Sequence, residues 1–238
     1  MCTVLLLFRP DHEWPLLIAG NRDEMADRPA SPPARHWSDR PEVTAGLDQL
    51  GGGTWMGIND YGVIAIILNR MGSLGPQIGK RSRGELPLEA LDHADAEAAV
   101  EALSQLDGTA YRPFNMIIAD NTKAFWIKAD GRARIKSFPI PPGYHMLTAH
   151  DLDDPESSRI INNMSAFESA DIPDPAQGDW SAWTEILAHG KGMCFHLPNG
   201  FGTVSSSIMA LPAVASELKP VWLYTHTPPN KGQFTPVL

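Results

Sequence analysis

Cysteine is scarce in this chain: Cys2 and Cys194 are the two among 238 residues. Two thiols make no disulfide framework and fit a reducing compartment, so the expected location is the cytoplasm. Long apolar runs are also missing. The longest, Val4 to Phe8 and Val63 to Leu68, fall far below the roughly 18 residues that a membrane-spanning helix needs. The first run lacks a preceding cationic stretch, is broken by Arg9-Pro10-Asp11, and shows no small-residue cleavage site, so it does not read as a secretion signal. Positive charge is in deficit, with 19 Lys and Arg against 28 Asp and Glu and a net charge of -9. That balance argues against nucleic acid or an anionic membrane surface as a partner. No internal repeat or low-complexity tract is present.

What the chain does contain is an alternation of short apolar segments and helical spacings. Val4 to Phe8 and Leu16 to Ala19 flank a polar, proline-bounded connection and predict a hairpin. Thr54 to Ile58 and Val63 to Leu68 predict a second around Asn59-Asp60-Tyr61-Gly62; its second strand has no polar face and should be covered on both sides. Phe114 to Ala119 with Ala124 to Ala129 predict a third. Ala96, Val100, Leu103 and Leu106 repeat at helical spacing, as do Ile160, Met164 and Phe167, and Trp183, Ile186 and Leu187, the last with Asp179 as N-cap and Gly190 as stop. Gly202 to Leu211 and Val221 to Thr225 are the final predicted strands. Antiparallel pairs with helices between them predict an α+β fold. Proline clusters at Arg28 to Pro41, Phe138 to Pro142, Ile172 to Pro175 and Thr227 to Pro236 read as loops and a tail rather than linkers. The expectation is one domain over residues 1–238 with a proline-rich tail from about residue 227.

Cys2 stands directly behind the initiator methionine. Removal of Met1 would leave a residue carrying both a thiol and the chain's free amine. Their ordinary pKa values, near 8.5 and about 7.7 to 8.0, let the amine take the thiol's proton near neutral pH, the chemistry of an N-terminal nucleophile. From position alone, the start of a buried strand explains Cys2 as well, since buried cysteine is usually inert packing.

Further motifs follow in order: Asn21-Arg22-Asp23-Glu24 after the second strand, Gly46-Leu47-Asp48, Gly52-Gly53-Thr54-Trp55-Met56-Gly57-Ile58, Ser82-Arg83-Gly84-Glu85-Leu86, and Phe114-Asn115-Met116-Ile117-Ile118-Ala119-Asp120. Behind Met1-Cys2, this series resembles the Asn-Arg-Asp-Glu (NRDE) family, also called the transport and Golgi organisation family. The resemblance implies an N-terminal nucleophile hydrolase-like fold, a four-layer αββα sandwich of two antiparallel sheets. A more distant similarity is to the choloylglycine hydrolase and penicillin V acylase family, whose hairpin ending in Leu-Asn resembles Gly57 through Leu68-Asn69. It implies Cys2 as nucleophile, Asp23 as the group orienting the thiol and amine, and Asn69 as oxyanion donor. Asn21, Arg22, Trp55 and His150 join as candidate substrate-binding residues, Trp55 by lining a pocket and His150 as a donor beside Ala149. The chain departs from the acylases at Gly20 and Val204, where they carry arginine, and at Ala149, where they carry asparagine.

Lys80-Arg81-Ser82-Arg83 precedes a helix expected to begin near Glu85, a place for Arg81 and Arg83 to hold a substrate anion, or simply a solvated loop. Gly51-Gly52-Gly53 leads into a strand and lacks the lysine of a P-loop, so it reads as a turn or a close backbone approach. Cys194-Phe195-His196 has no second cluster at zinc spacing, and no metal or resident cofactor is expected. Two functional readings result. One is hydrolysis of an amide or thioester of a small acyl compound by Cys2. The other, implied by the resemblance, is a non-catalytic binding or trafficking protein for haem or an acyl lipid, with haem as ligand and no ligating residue singled out.

Overall fold

The computed structural model describes residues 2–214 and 216–238; Met1 and Ala215 lie outside them. In chain order the strands are β1 (Thr3–Phe8), β2 (Leu16–Met25), β3 (Ala30–Ala34), β4 (Val43–Asp48), β5 (Met56–Asn59) and β6 (Ile64–Asn69). Two helices follow, α1 (Glu85–Leu91) and α2 (Ala96–Ser104), then β7 (Phe114–Ala119), β8 (Ala124–Ala129), β9 (Lys136–Pro139) and β10 (Gly143–Leu147). The chain finishes with α3 (Ser158–Ser169), α4 (Ser181–His189), β11 (Phe201–Leu211), β12 (Val221–Thr225) and β13 (Thr235–Pro236). The class is α+β, as the sequence indicates. None of the helices among the described residues is long and apolar enough to cross a membrane.

Contacts divide the chain into two compact units, one formed by the residues up to Arg28 with Pro142–Leu238, the other by Pro29–Pro141. Both boundaries fall in proline clusters. The first unit holds a six-stranded antiparallel sheet in the order β10-β1-β2-β11-β12-β13. One face of it, Leu5, Leu7, Leu17, Ala19, Met146, Ile208 and Ala210, is buried with Ile160 and Phe167 of α3 and Trp183 and Leu187 of α4. The second unit holds a seven-stranded antiparallel sheet, β3 through β9 in sequence order. Its alternate residues, among them Val43, Ala45, Ala65, Ile67, Met116 and Ile118, pack with Leu86 and Leu91 of α1 and Ala99 and Leu103 of α2. Each sheet therefore buries an every-second-residue stripe against an every-third-or-fourth stripe of its own helix pair.

Several elements differ from the sequence expectation. β2 does not stop at Ala19 but runs to Met25, because β11 pairs with it from Leu16↔Leu211 to Met25↔Phe201; the Asn21-Arg22-Asp23-Glu24 motif is thus inside a strand. Three proline-containing stretches read as loops or tail are strands, β3, β9 and β13, and each lies at a sheet edge. Proline has no N–H for a ladder and is tolerated where one side of the strand has no neighbour. The β3–β4 register shifts between Ser31 and Ala34, where Pro32 and Pro33 stand. Asp179 accepts from the Ser181 amide (2.9 Å), one position before the N-cap Trp180. Gly53 is a close-approach glycine: a Cβ there would run into the Gly84 backbone, and the Thr54 amide donates to the Gly84 carbonyl (2.8 Å).

Asn59 does more than make a turn. Its amide donates to the carbonyls of Leu91 (2.9 Å), the last residue of α1, and His93 (2.7 Å), just beyond it, and its oxygen accepts from the amides of Tyr61 (3.1 Å) and Val63 (2.9 Å). Asn59→Ala leaves these buried groups without their side-chain partner and should destabilise the protein by about 2 to 3 kcal/mol, read from the urea midpoint at constant m-value.

Candidate functional site

In the first unit β2 lies between β1 and β11, which fixes the neighbours of its last residues. Thr3 pairs with Asn21, while Asn21 pairs with Ser206, Arg22 with Ser205 and Asp23 with Thr203, with the register shifting across Val204. Alternation then sorts the side chains. The stripe Leu17, Ala19 that faces α3 and α4 continues as Asn21 and Asp23, while Arg22 points to the other side, as its place next to Asp23 predicts.

Asp23 is the charged centre of the helix-facing side, with its side chain fully buried. One carboxylate oxygen accepts from the Thr203 hydroxyl (2.7 Å), and the other faces the Arg159 guanidinium at 2.8 Å. Arg159 comes from α3, is only 12 % exposed, donates to the Thr3 hydroxyl (2.6 Å) and lies 5.1 Å from the centre of the Phe195 ring. A carboxylate taken out of water needs a counter-charge and hydrogen bonds in its place, and Arg159 and Thr203 supply both. Asn21, a candidate for substrate binding, gives its amide protons to the carbonyls of Leu187 (3.0 Å) and Met193 (2.9 Å) and accepts from Ser206. It ties α4 to the sheet.

Cys2 is half-buried, and its thiol lies against the main chain of Asp23: the Asp23 amide donates to Sγ (3.4 Å), and Sγ–H points to the Asp23 carbonyl (3.7 Å). Burial pushes the thiol's pKa up, the Asp23 charge adds to this, and the Asp23 amide and the Arg22 cation oppose it. On the same side as Arg22 stand Ser205 and, from β12, Tyr224, which pairs with Ser207. Burial raises the Tyr224 pKa, while Ser205 and Arg22 work in the other direction. Arg159, Thr203, Ser205 and Tyr224 are not among the candidate residues that the sequence offers. Alternation along β12 carries a signal for Tyr224, but along β11 it would put Thr203 and Ser205 on one face, and only the irregularity at Val204 separates them; no local pattern marks Arg159. Gly20 leaves no room for an arginine, since a Cβ there would meet the Thr3 carbonyl oxygen at 2.9 Å.

His150 follows β10, half-buried, with Nδ1 3.8 Å from an Asp154 oxygen. His150, Asp154 and Glu156 bring ligand-type atoms within 4.8 Å of one another. The Asp154 carboxylate already accepts from the amides of Asp151 (3.4 Å) and Glu156 (2.9 Å), so this group forms the turn leading into α3.

The remaining candidates belong to the second unit. Asn69 ends β6, half-buried, opposite Phe114. Trp55 lies over Gly46, where a Cβ would strike its ring. Arg81 pairs with Glu85 (2.6 Å) and lies 5.5 Å from the Tyr111 ring centre. Arg83 donates to the carbonyls of Ser73 (2.8 Å) and Pro113 (3.0 Å). Both arginines thus have structural work at the start of α1.

Among solved structures, an N-acylethanolamine-hydrolyzing acid amidase orthologue from Caenorhabditis elegans is similar with a TM-score of 0.57 at 16% identity, over 87% of this chain and 92% of that one. Conjugated bile acid hydrolase from Clostridium perfringens gives a TM-score of 0.59 at 13% identity, over 100% and 92%. Penicillin V acylase from Agrobacterium tumefaciens gives 0.56 at 13%, over 94% and 83%. The fold is therefore N-terminal nucleophile hydrolase-like. The chain belongs to the Transport and Golgi organisation 2 family, whose profile matches residues 1–180. The human Transport and Golgi organization protein 2 homolog is 29% identical over 259 aligned positions, covering 90% of this chain and 89% of that protein. The Bos taurus homolog is 35% identical over 130 positions, covering 50% and 45%.

Two measurements test this geometry. Arg159→Met strands a buried carboxylate and should cost about 3 to 5 kcal/mol in urea unfolding, most of it recovered in Arg159→Met/Asp23→Leu. With residue 1 retained, alkylation of Cys2 by iodoacetamide should reach half its maximum rate at a pH above that of free cysteine, because burial and Asp23 disfavour the thiolate. Arg22→Ala, by removing a nearby cation, should move that midpoint higher still.

Proposed function

We propose that this protein, after loss of Met1, is an N-terminal-cysteine hydrolase for an amide or thioester of a small acyl compound. The observation that carries the reading is the Cys2 thiol seated 3.4 Å from the Asp23 amide on a residue whose carboxylate is clamped by Arg159 and Thr203. In this reading the freed α-amine accepts the thiol proton, and the sulfur attacks the substrate carbonyl. The Asp23 charge favours the ammonium so formed. The resemblance to the acylases assigns the developing oxyanion to Asn69, a role worth about 3 to 4 kcal/mol for one donor of this kind. The ammonium then returns its proton to the departing amine or thiol as the C–N or C–S bond breaks. Water attacks the remaining thioester, releasing the acid and restoring the thiol. The likeness to an amidase, an acylase and a bile acid hydrolase supports the fold that this chemistry uses, and the paucity of cysteine supports a reducing, cytoplasmic setting.

A second reading draws on Ala149 and Val204, apolar where the acylases are polar: the same fold acting as a non-catalytic binder of haem or an acyl lipid. The two part on one experiment. Untagged protein should have an intact mass lacking Met1 and should turn over members of a panel of acyl amides and thioesters. Cys2→Ala should lower kcat by about a thousandfold or more, and Asn69→Ala by about a hundredfold to a thousandfold with little change in KM. Unchanged turnover in purified Cys2→Ala would remove the enzyme reading, and haem titration followed by absorbance would then test the binder.

A further inference from the structure

The stretch between β6 and α1 combines exposed apolar side chains with a cluster of cations. Residues 70–84 contain Arg70, Lys80, Arg81 and Arg83 and no acidic residue, in a chain whose net charge is -9. From the same stretch project Met71, Leu74 and Ile78, which are 56%, 45% and 103% exposed. Such projection is costly in water and would be expected to collapse. The backbone is held against collapse. Arg112 donates to the carbonyls of Gly72, Leu74 and Gly75, and Arg83 to that of Ser73. The Ser73 hydroxyl donates to the Arg70 and Pro113 carbonyls, and Lys80 reaches the Thr109 carbonyl. Gly72, Gly75 and Gly79 take φ of +72, +75 and +79°, the left-handed turns that let so short a stretch reverse direction repeatedly. The loop is thus fastened by its carbonyls while its apolar side chains point outward.

We infer that residues 70–84 dock on an anionic lipid surface, with Met71, Leu74 and Ile78 entering the headgroup boundary and the positive charge of Lys80 and Arg112 attracting the lipid phosphates. This inference is independent of the hydrolase reading. Carbonyl acceptors are neutral, so the contacts of Lys80 and Arg112 leave their charge in place; Asp107 lies near Lys80, and Arg81 is paired with Glu85. The acidic balance of the whole chain does not forbid the contact, because charges farther than about 8 Å from the surface are screened at physiological salt. A bilayer suits the shape better than a protein does. Three separated projecting side chains make no continuous face of the ~800 Å² per partner that a stable protein interface needs, whereas insertion of apolar tips beside cations is how proteins hold to membrane surfaces.

The test uses the full-length chain, sedimented with phosphatidylcholine vesicles with and without phosphatidylserine. Binding is expected with phosphatidylserine, to fall in high salt, and to weaken roughly tenfold or more in Leu74→Ser/Ile78→Ser. That variant should keep the wild-type circular dichroism and melting curve, since Ile78 is fully exposed. Failure of the wild type to sediment with the anionic vesicles, or equal sedimentation of the double variant, overturns the inference. If soluble polyglutamate binds the wild type as tightly as the vesicles do, and the double variant binds it equally, the patch receives acidic protein segments and the lipid assignment falls.

Discussion

A carboxylate with no access to water sits where three strands and a helix meet. Asp23 is placed by β2, hydrogen-bonded by Thr203 of β11 and neutralised by Arg159 of α3, which also grips Thr3 of β1. Taking a carboxylate out of water costs several kcal/mol unless partners replace the water, so these four elements hold one arrangement or the charge is stranded. The thiol of Cys2 rests on the main chain of that same residue, and whatever chemistry the thiol performs inherits the rigidity of the clamp.

The same device recurs in milder form. In each unit a strand asparagine is turned toward the helices and gives its amide protons to carbonyls at or beyond a helix end, Asn21 for α4 and Asn59 for α1. The last carbonyls of a helix lack intrahelical donors, and a buried end must find them elsewhere. A side chain with two donors and an acceptor satisfies two such carbonyls and still accepts from its own sheet or turn. Asn163, within α3, likewise donates to the Lys191 carbonyl (2.9 Å).

Legibility in the sequence followed the range of the signal. Apolar periodicity is written in adjacent residues, and it marks β7 and β8 to the residue and α2, α3 and α4 within a residue or two. It misses β3, β9 and β13, because their prolines look like loop residues until an edge position is known. The Asn-Arg-Asp-Glu motif is plain in the sequence but stands after the apolar run and not within it, since only the length of β11 extends β2 to Met25. Gly52 and Gly53 mark a turn or close approach in the sequence, and only the fold supplies the approaching partner, Gly84.

By itself the sequence determined the α+β class, the main hairpins, the helices and the family motif that puts Cys2 and Asp23 at the ends of neighbouring strands. These depend on side-chain pattern over a few residues, which propensity and burial translate directly into local structure. The tertiary structure alone decided that Arg159 answers Asp23, that Asn21 serves a helix end, and that Ser205 and Tyr224 stand with Arg22. Register and packing bring residues far apart in the chain within hydrogen-bond reach, and no local spacing encodes those distances.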